Sequence, residues 1–188
     1  APPSIMPSRR EALTQLAALT ATPFIRWGTG VSAPAGDPLD GTIADCATGL
    51  ARGDFTSLEL TTRALERCTS DGHAWRAIDA LANTALADAR ASDDRRRANQ
   101  TRGPLDGIPV FAKSIYDVNG MPTTASSAEW ARLFPDNVNR DALEVARLRV
   151  AGAIILGKTA ADDFAYRGNG TNGHTGQVLN PHDPTGTK

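Results

Sequence analysis

The most constraining feature of the sequence is an apolar run at 153–157 that carries no polar side chain before Lys158. Such a run is typical of a strand that is buried on both faces of a sheet. An apolar pattern over 141–150, which Gly152 closes, predicts a helix before it, and the run at 108–112 predicts an earlier strand. Strand, helix and buried strand in this order predict a right-handed crossover between parallel strands, and therefore an α/β fold.

The chain before this crossover is predicted to be mainly helical. Apolar spacing and capping residues predict helices over 43–51, 58–68 and 83–97, with a short strand around 75–78. The charge run at 93–97 is most simply a solvated helix end, with its arginines near the negative end of the helix dipole.

Composition excludes several classes of protein. The 188 residues include 20 basic and 21 acidic side chains, and the sequence pI is near 6.3. This balance gives no electrostatic footprint for nucleic acid or an anionic membrane. No window reaches the roughly 18 consecutive apolar residues that a spanning helix needs. We therefore predict a soluble globular protein with no nucleic-acid partner and no membrane span.

The cysteines and histidines give no sign of a metal site. Cys46 and Cys68 lack metal-ligand spacing and are most simply two buried small residues, although a disulfide stays open if the protein is exported. Three histidines show neither i, i+4 pairing nor adjacent acidic ligands: His73, His174 and His182. We predict no metal and no cofactor.

Residues 1–38 are predicted to form an extension, for which two interpretations compete. The Ser-Arg-Arg motif at 8–10, followed by a mildly apolar stretch and Ala-Pro-Ala at 33–35, has the layout of a twin-arginine export signal. Ser8 and Glu11 can instead form a capping box that begins an ordinary helix. Localisation, cytoplasmic or periplasmic, therefore stays open.

Lys113 comes directly after the apolar run at 108–112. A lysine held against an apolar strand loses solvation, which disfavours its charged form, and a neutral amine can act as a base. Most lysines at strand ends simply reach solvent, so this position alone does not establish catalysis. Ligands of open α/β sheets bind at the carboxyl ends of strands, where both Lys113 and Lys158 are expected.

Five blocks of the sequence, in order and spacing, resemble the amidase signature family. They are GPLDGIPVFAK at 103–113, GMPTT at 120–124, RLRVAGAIILGKT at 147–159, DFA at 163–165 and NPHDP at 180–184. The resemblance implies that 39–188 is the N-terminal part of the amidase signature fold, an α/β fold with a mixed β-sheet covered by helices.

The resemblance also implies hydrolysis of a carboxylic amide through an acyl-enzyme. The family uses a serine nucleophile, a second serine with a cis peptide bond and a lysine, and Lys113 matches that lysine as the proton-relay base. Met121, Ala165 and Tyr166 match substrate-binding positions of the acyl pocket, although Tyr166 could instead be a packed loop aromatic. Lys158 is expected to have a structural role, closing a strand.

The family's two serines belong to a segment expected immediately after Lys188, and no serine follows Ser127 here. The expected partners are therefore the C-terminal remainder of the amidase, on the same or a separate polypeptide, and a small-molecule amide, with a homodimer left open. Alone, the chain is expected to be inactive. A noncatalytic binding module and the amidase-like subunit of a transamidase are the alternatives, and the sequence does not identify the amide.

Overall fold

A computed structural model of the chain describes residues 36–183 and 185. The export-signal and helix interpretations of residues 8–35 lie outside this range and stay predictions. Within it, no helix has the length and apolar character needed to cross a membrane.

Five α-helices are present in the described part of the chain: α1 (Ile43–Arg52), α2 (Ser57–Arg67), α3 (Ala85–Arg97), α4 (Ala128–Leu133) and α5 (Leu143–Val150). The four helices that the sequence predicts are confirmed to within two residues at each end. Reciprocal capping boxes begin α1 at Thr42 and α2 at Thr56, so the first backbone donors of both helices are satisfied. The short α4 was not predicted.

Three strands form a sheet in the order β1-β3-β2, with β1 at Ile78–Leu81, β2 at Pro109–Lys113 and β3 at Ile154–Thr159. Strand β2 runs parallel to β3, and β1 runs antiparallel to it, which confirms the predicted parallel pair and the mixed α/β sheet. The first strand begins later than predicted, because the N–H groups of Trp75, Arg76 and Ala77 donate to preceding carbonyls in turns.

Helices cover both faces of β3, which explains its continuous apolar run. Ile154 and Leu156 pack with buried alanines of α2 and α3. Ile155 packs on the other face with Val145 of α5 and with Met121 of the loop that follows β2. Burial on both faces removes every position where a polar side chain could reach water.

The pairing of β2 with β3 is irregular beside Gly157. Val110 pairs with Ile155 but Phe111 pairs with Gly157, so β3 carries one extra residue. Strand β1 approaches so closely here that a Cβ on Gly157 would lie 2.2 Å from the carbonyl oxygen of Ala80. Only glycine fits at this position.

This register decides the faces on which the two lysines lie. Ala112 pairs with Lys158, and Lys113 pairs with Thr159. Paired residues share a face of a sheet, and successive residues alternate between faces. Because Ala112 packs with Ile155, Lys158 faces the α5 side, and Lys113 faces the opposite side.

The prediction that 93–97 is a solvated helix end is correct for Asp94 and Arg97, which are exposed at the end of α3, but wrong for Asp93 and Arg95. The carboxylate of Asp93 accepts hydrogen bonds from the N–H groups of Ser57 and Leu58, at 2.7 and 3.0 Å, at the start of α2. Arg95 donates to both carboxylate oxygens of the buried Asp106. Asp93 and Arg95 therefore tie α3 to α2 and to the turn before β2, whereas Asp94 and Arg97 pair with each other at the exposed end of the helix.

Asp106 is stabilised as a buried carboxylate. Burial acts to raise its pKa, but hydrogen bonds from Arg95, from the N–H of Arg102 and from the Ser92 hydroxyl outweigh it and hold the pKa below its usual range. Cys46 and Cys68 are buried with free thiols, as predicted for small core residues, and burial raises the pKa of each thiol.

Candidate active site

The carboxyl ends of β2 and β3 lie side by side and carry two loops. Lys113 is the last residue of β2, and its side chain is exposed. The residues that the structure describes therefore do not shield Lys113 from water, so they do not provide the desolvation that would favour its neutral form. The reason is the register, since Lys113 points away from the loop that covers the other face.

Lys158, one residue before the end of β3, is fully buried. Its Nζ donates to the carbonyl oxygen of Pro122 at 2.6 Å and to Oγ1 of Thr123 at 3.0 Å. The Thr123 hydroxyl in turn donates to Asp117 at 2.9 Å. Desolvation lowers the pKa of Lys158 to about 8, although the carboxylates of Asp79 and Asp117 act to raise it. These bonds agree with the structural role predicted for Lys158.

A second polar group reaches the same loop from β1. Oγ1 of Thr124 donates to both carboxylate oxygens of Asp79, at 2.8 Å each. Nε2 of His174 lies 4.0 Å from Oδ1 of Asp79, whose side chain is completely buried. The loop after β2 is thus held by β3 through Lys158 and by β1 through Asp79.

The loop that follows β3 carries two of the three predicted pocket residues. Ala165 ends a short 3-10 helix at Asp163–Ala165, and Tyr166, which is 85% exposed, lines a cavity of about 490 Å³. Phe164 lines the same cavity, and its N–H donates to the carbonyl oxygen of Ala125 in the loop after β2. The two loops therefore meet at one edge of the sheet.

Met121 lies elsewhere, since it is buried in the core with Ala112, Val118 and Val145. The structure therefore does not bring it together with the exposed Tyr166. Its place in the substrate pocket stays a prediction, as do the roles of Lys113, Ala165 and Tyr166.

Sequence reasoning missed the polar residues that shape this edge. Asp79, Thr124 and Asn172 each organise a loop, and Asn172 joins Ala161 to the N–H groups of His174 and Thr175. Small polar residues in succession are a sign of a loop, but their partners are distant in sequence and cannot be inferred from spacing. Among residues 36–183 and 185, no three His, Cys, Asp or Glu side chains are grouped to hold a metal ion.

Three comparisons relate the chain to known proteins. The family model described as Amidase matches residues 59–188. The chain is 39% identical over 145 residues to one subunit of the glutamyl-tRNA(Gln) amidotransferase of Chloroflexus aurantiacus, an alignment that covers 77% of the chain. It is similar in structure to the peptide amidase of Stenotrophomonas maltophilia, with a TM-score of 0.70, 33% identity and 80% of the chain covered.

Both relatives are much longer than the matched region. The alignments span 31% of the peptide amidase and 29% of the amidotransferase subunit. The match to the family model covers most of the chain and includes both lysines and both loops. The chain belongs to the amidase family.

Proposed function

We propose that the protein hydrolyses a carboxylic amide and that Lys113 is its proton-relay base. The observation that carries this proposal is the position of Lys113, exposed at the carboxyl end of a parallel strand in a chain of the amidase family. Ligands of α/β sheets bind at this end of the strands. The loop of Ala165 and Tyr166 reaches the same edge.

In the proposed reaction, the neutral amine of Lys113 accepts a proton from a bridging serine, which accepts the proton of a nucleophilic serine. The nucleophile forms a C–O bond to the amide carbon. The C–N bond then breaks, and the amine or ammonia leaves with the proton that the lysine had taken. Water hydrolyses the acyl-enzyme and releases the acid. The proposal assigns both serines to a segment beyond Lys188, as the family resemblance implies, and no serine follows Ser127 in these 188 residues.

The substrate is proposed to be a small-molecule amide whose acyl group lies near Ala165 and Tyr166. The cavity beside Tyr166, of about 490 Å³, is within the range of about 300–1,000 Å³ that small-molecule sites occupy. Its lining includes Phe164, Asp162 and Arg167, so apolar and charged groups are both available.

Transamidation is the second candidate, and the similarity to a subunit of an amidotransferase favours it. In that case the ammonia released from an amide would be passed to an acyl acceptor held by a partner protein. The chemistry at Lys113 would be the same up to the loss of ammonia. The two functions differ in what receives the ammonia.

The experiment measures ammonia release by the complete protein as its source encodes it, with a C-terminally amidated peptide and with glutamine as probes. Lys113→Arg is the decisive variant, because arginine keeps a long basic side chain but cannot be deprotonated and so cannot accept a proton. We expect it to lower the rate about 10²–10⁴-fold, the usual contribution of a general base. An unchanged rate would exclude Lys113 as the base.

The same assay separates the two candidates. Hydrolysis of the peptide amide by the protein alone supports an amidase. Glutamine-dependent release that requires a co-purifying partner supports a transamidase. Absence of both activities from the complete wild-type protein would support the noncatalytic alternative.

A further inference from the structure

Ser126 lies in the loop after β2 and is fully buried. Its hydroxyl donates to Oγ of Ser114 at 2.9 Å and accepts a hydrogen bond from the N–H of Ala161 at 2.9 Å. Ser114 directly follows β2, and Ala161 lies just beyond β3. One hydroxyl group therefore joins the ends of the two parallel strands.

Ser114 is held by its backbone as well as by its side chain. Its N–H donates to the carbonyl oxygen of Thr159 at 2.9 Å, and its own carbonyl accepts from the N–H of Ala125 at 3.3 Å. The hydrogen bond to Thr159 extends the pairing of β2 with β3 one residue past Lys113. All three contacts fix the backbone on the C-terminal side of this lysine.

Lys113 and Ser114 lie on opposite sides of the strand end. Ser114 is fully buried beneath the loop, whereas Lys113 is exposed. The side chain of lysine is a flexible four-carbon stem. The fold can therefore direct its amine mainly by fixing the backbone from which the stem leaves. The buried serine pair contacts this backbone from the other side.

The backbone conformation of the loop also depends on these contacts. Ala125 and Ser126 both have positive φ, 49° and 55°, a left-handed conformation that is uncommon for residues other than glycine. Such a conformation persists where the surroundings over-determine it. Here the N–H of Ser126 donates to Oγ1 of Thr124 at 3.0 Å, and the carbonyl of Ala125 accepts from Phe164 at 2.9 Å.

We propose that Ser126, acting through Ser114, is a positioning residue for Lys113. Its hydroxyl holds the end of β2 so that the amine of Lys113 is presented at a fixed place at the edge of the sheet. This inference rests on the proposed role of Lys113 as base. A displacement of about 1 Å in a catalytic group can lower a rate about 10²-fold.

The test compares Ser126→Ala with Ser92→Ala in the complete protein. Ser92 is a matched control, because it is also fully buried and its hydroxyl donates to Asp106 at 2.8 Å, before the start of β2 and away from the carboxyl ends of the strands. We expect Ser126→Ala to lower kcat about 10–100-fold with KM nearly unchanged, since positioning acts on the chemical step. We expect Ser92→Ala to leave kcat near the wild-type value.

A second measurement separates positioning from a general loss of stability. Ser114→Ala and the Ser114→Ala/Ser126→Ala double variant complete a cycle on the hydrogen-bonded pair. If the pair acts as a unit, the double variant loses no more kcat than either single variant. Urea unfolding of Ser126→Ala and Ser92→Ala shows whether the two variants lose comparable stability.

The outcomes distinguish this inference from the proposed function. If Lys113→Arg keeps its activity, the proposed function fails and the positioning role fails with it. If Lys113→Arg is inactive but Ser126→Ala keeps the kcat of the Ser92→Ala control, the positioning role alone is overturned. If Ser126→Ala does not fold, Ser114→Ala carries the test, and an unchanged kcat in that variant overturns the inference.

Discussion

Lys113 and Lys158 occur in similar sequence contexts but in opposite environments. Each follows or ends an apolar run that forms a strand, and the two strands are parallel neighbours. Lys158 is fully buried, and its ammonium donates to Pro122 and Thr123. Lys113 is exposed. The position of a lysine at the end of an apolar strand therefore does not predict whether it is buried, because burial depends on the face of the sheet on which its side chain lies.

The two lysines differ in burial because they lie one residue apart in the register of β2 with β3. Ala112 pairs with Lys158, so that lysine shares the face that α5 and the loop after β2 cover. Lys113 is one residue further along β2 and so lies on the other face. We infer that Lys158 serves the fold and that Lys113 serves the reaction. Each of the following predictions tests that division.

The largest expected effect is the separation of activity from stability at Lys113. In Lys113→Met, kcat for amide hydrolysis should fall about 10²–10⁴-fold, because a general base is lost. The free energy of unfolding should change by less than about 0.5 kcal/mol, because the side chain is exposed. Kinetics and urea unfolding of the same preparation check both. A large loss of stability would contradict the division between the two lysines.

The next effect is on stability at Lys158. Lys158→Ala should lower the free energy of unfolding by about 3 kcal/mol, because it leaves a cavity and removes the donor to Pro122 and Thr123. Lys158→Met, which keeps most of the stem's volume, should lose less. Urea unfolding at pH 7 measures both variants. An equal loss in the two would mean that packing of the stem contributes nothing.

Stability should also depend on pH through Lys158. Its pKa is about 8 in the folded state and near 10.4 when unfolded. The unfolded state therefore binds more protons between these values, and stability rises with pH. The increase from pH 8 to pH 10 should be about 2 kcal/mol. It is measured as the difference between wild type and Lys158→Met, so that other titrating groups cancel. If the free energy of unfolding had the same pH dependence in wild type and in Lys158→Met, Lys158 would not be the group that causes the increase.

The smallest expected effect is at the threonine that accepts a hydrogen bond from the ammonium of Lys158. Thr123→Val should lower the free energy of unfolding by about 1 kcal/mol, because Lys158 loses an acceptor and Asp117 loses a donor. Thr62→Val is a matched control, since the Thr62 hydroxyl donates only to Leu58 of its own helix at 2.8 Å. If Thr62→Val lost as much stability as Thr123→Val, the hydrogen bonds of Thr123 to Lys158 and Asp117 would contribute no more than one hydrogen bond within a helix.

Much of the fold could be predicted from local sequence, as α1 and α2 illustrate. Their apolar spacing and their threonine caps lie within a few residues of each other, so the pattern contains the information that it needs. The charge run at 93–97 could not be interpreted in this way. Asp93 binds the start of α2, 35 and 36 residues away in sequence, and Arg95 binds the buried Asp106.

The candidate site shows the same limit. The family blocks identified Lys113 and the loop of Ala165 and Tyr166, and the order of strands and helix indicated that Lys113 and Lys158 would lie at one edge. Spacing could not indicate that Ser126 would reach Ser114 and Ala161, since the serine is 12 residues from one partner and 35 from the other.

The sequence by itself determined four of the five helices of the described residues, the parallel crossover, the buried central strand and membership of the amidase family. These follow from periodicity, caps and ordered motifs, all of which are local properties of the chain. Only the tertiary structure decided which lysine is buried, where the charge run at 93–97 binds and what holds the end of β2. Those outcomes depend on strand register and on contacts between distant residues, and one extra residue beside Gly157 is enough to change the face on which a side chain lies.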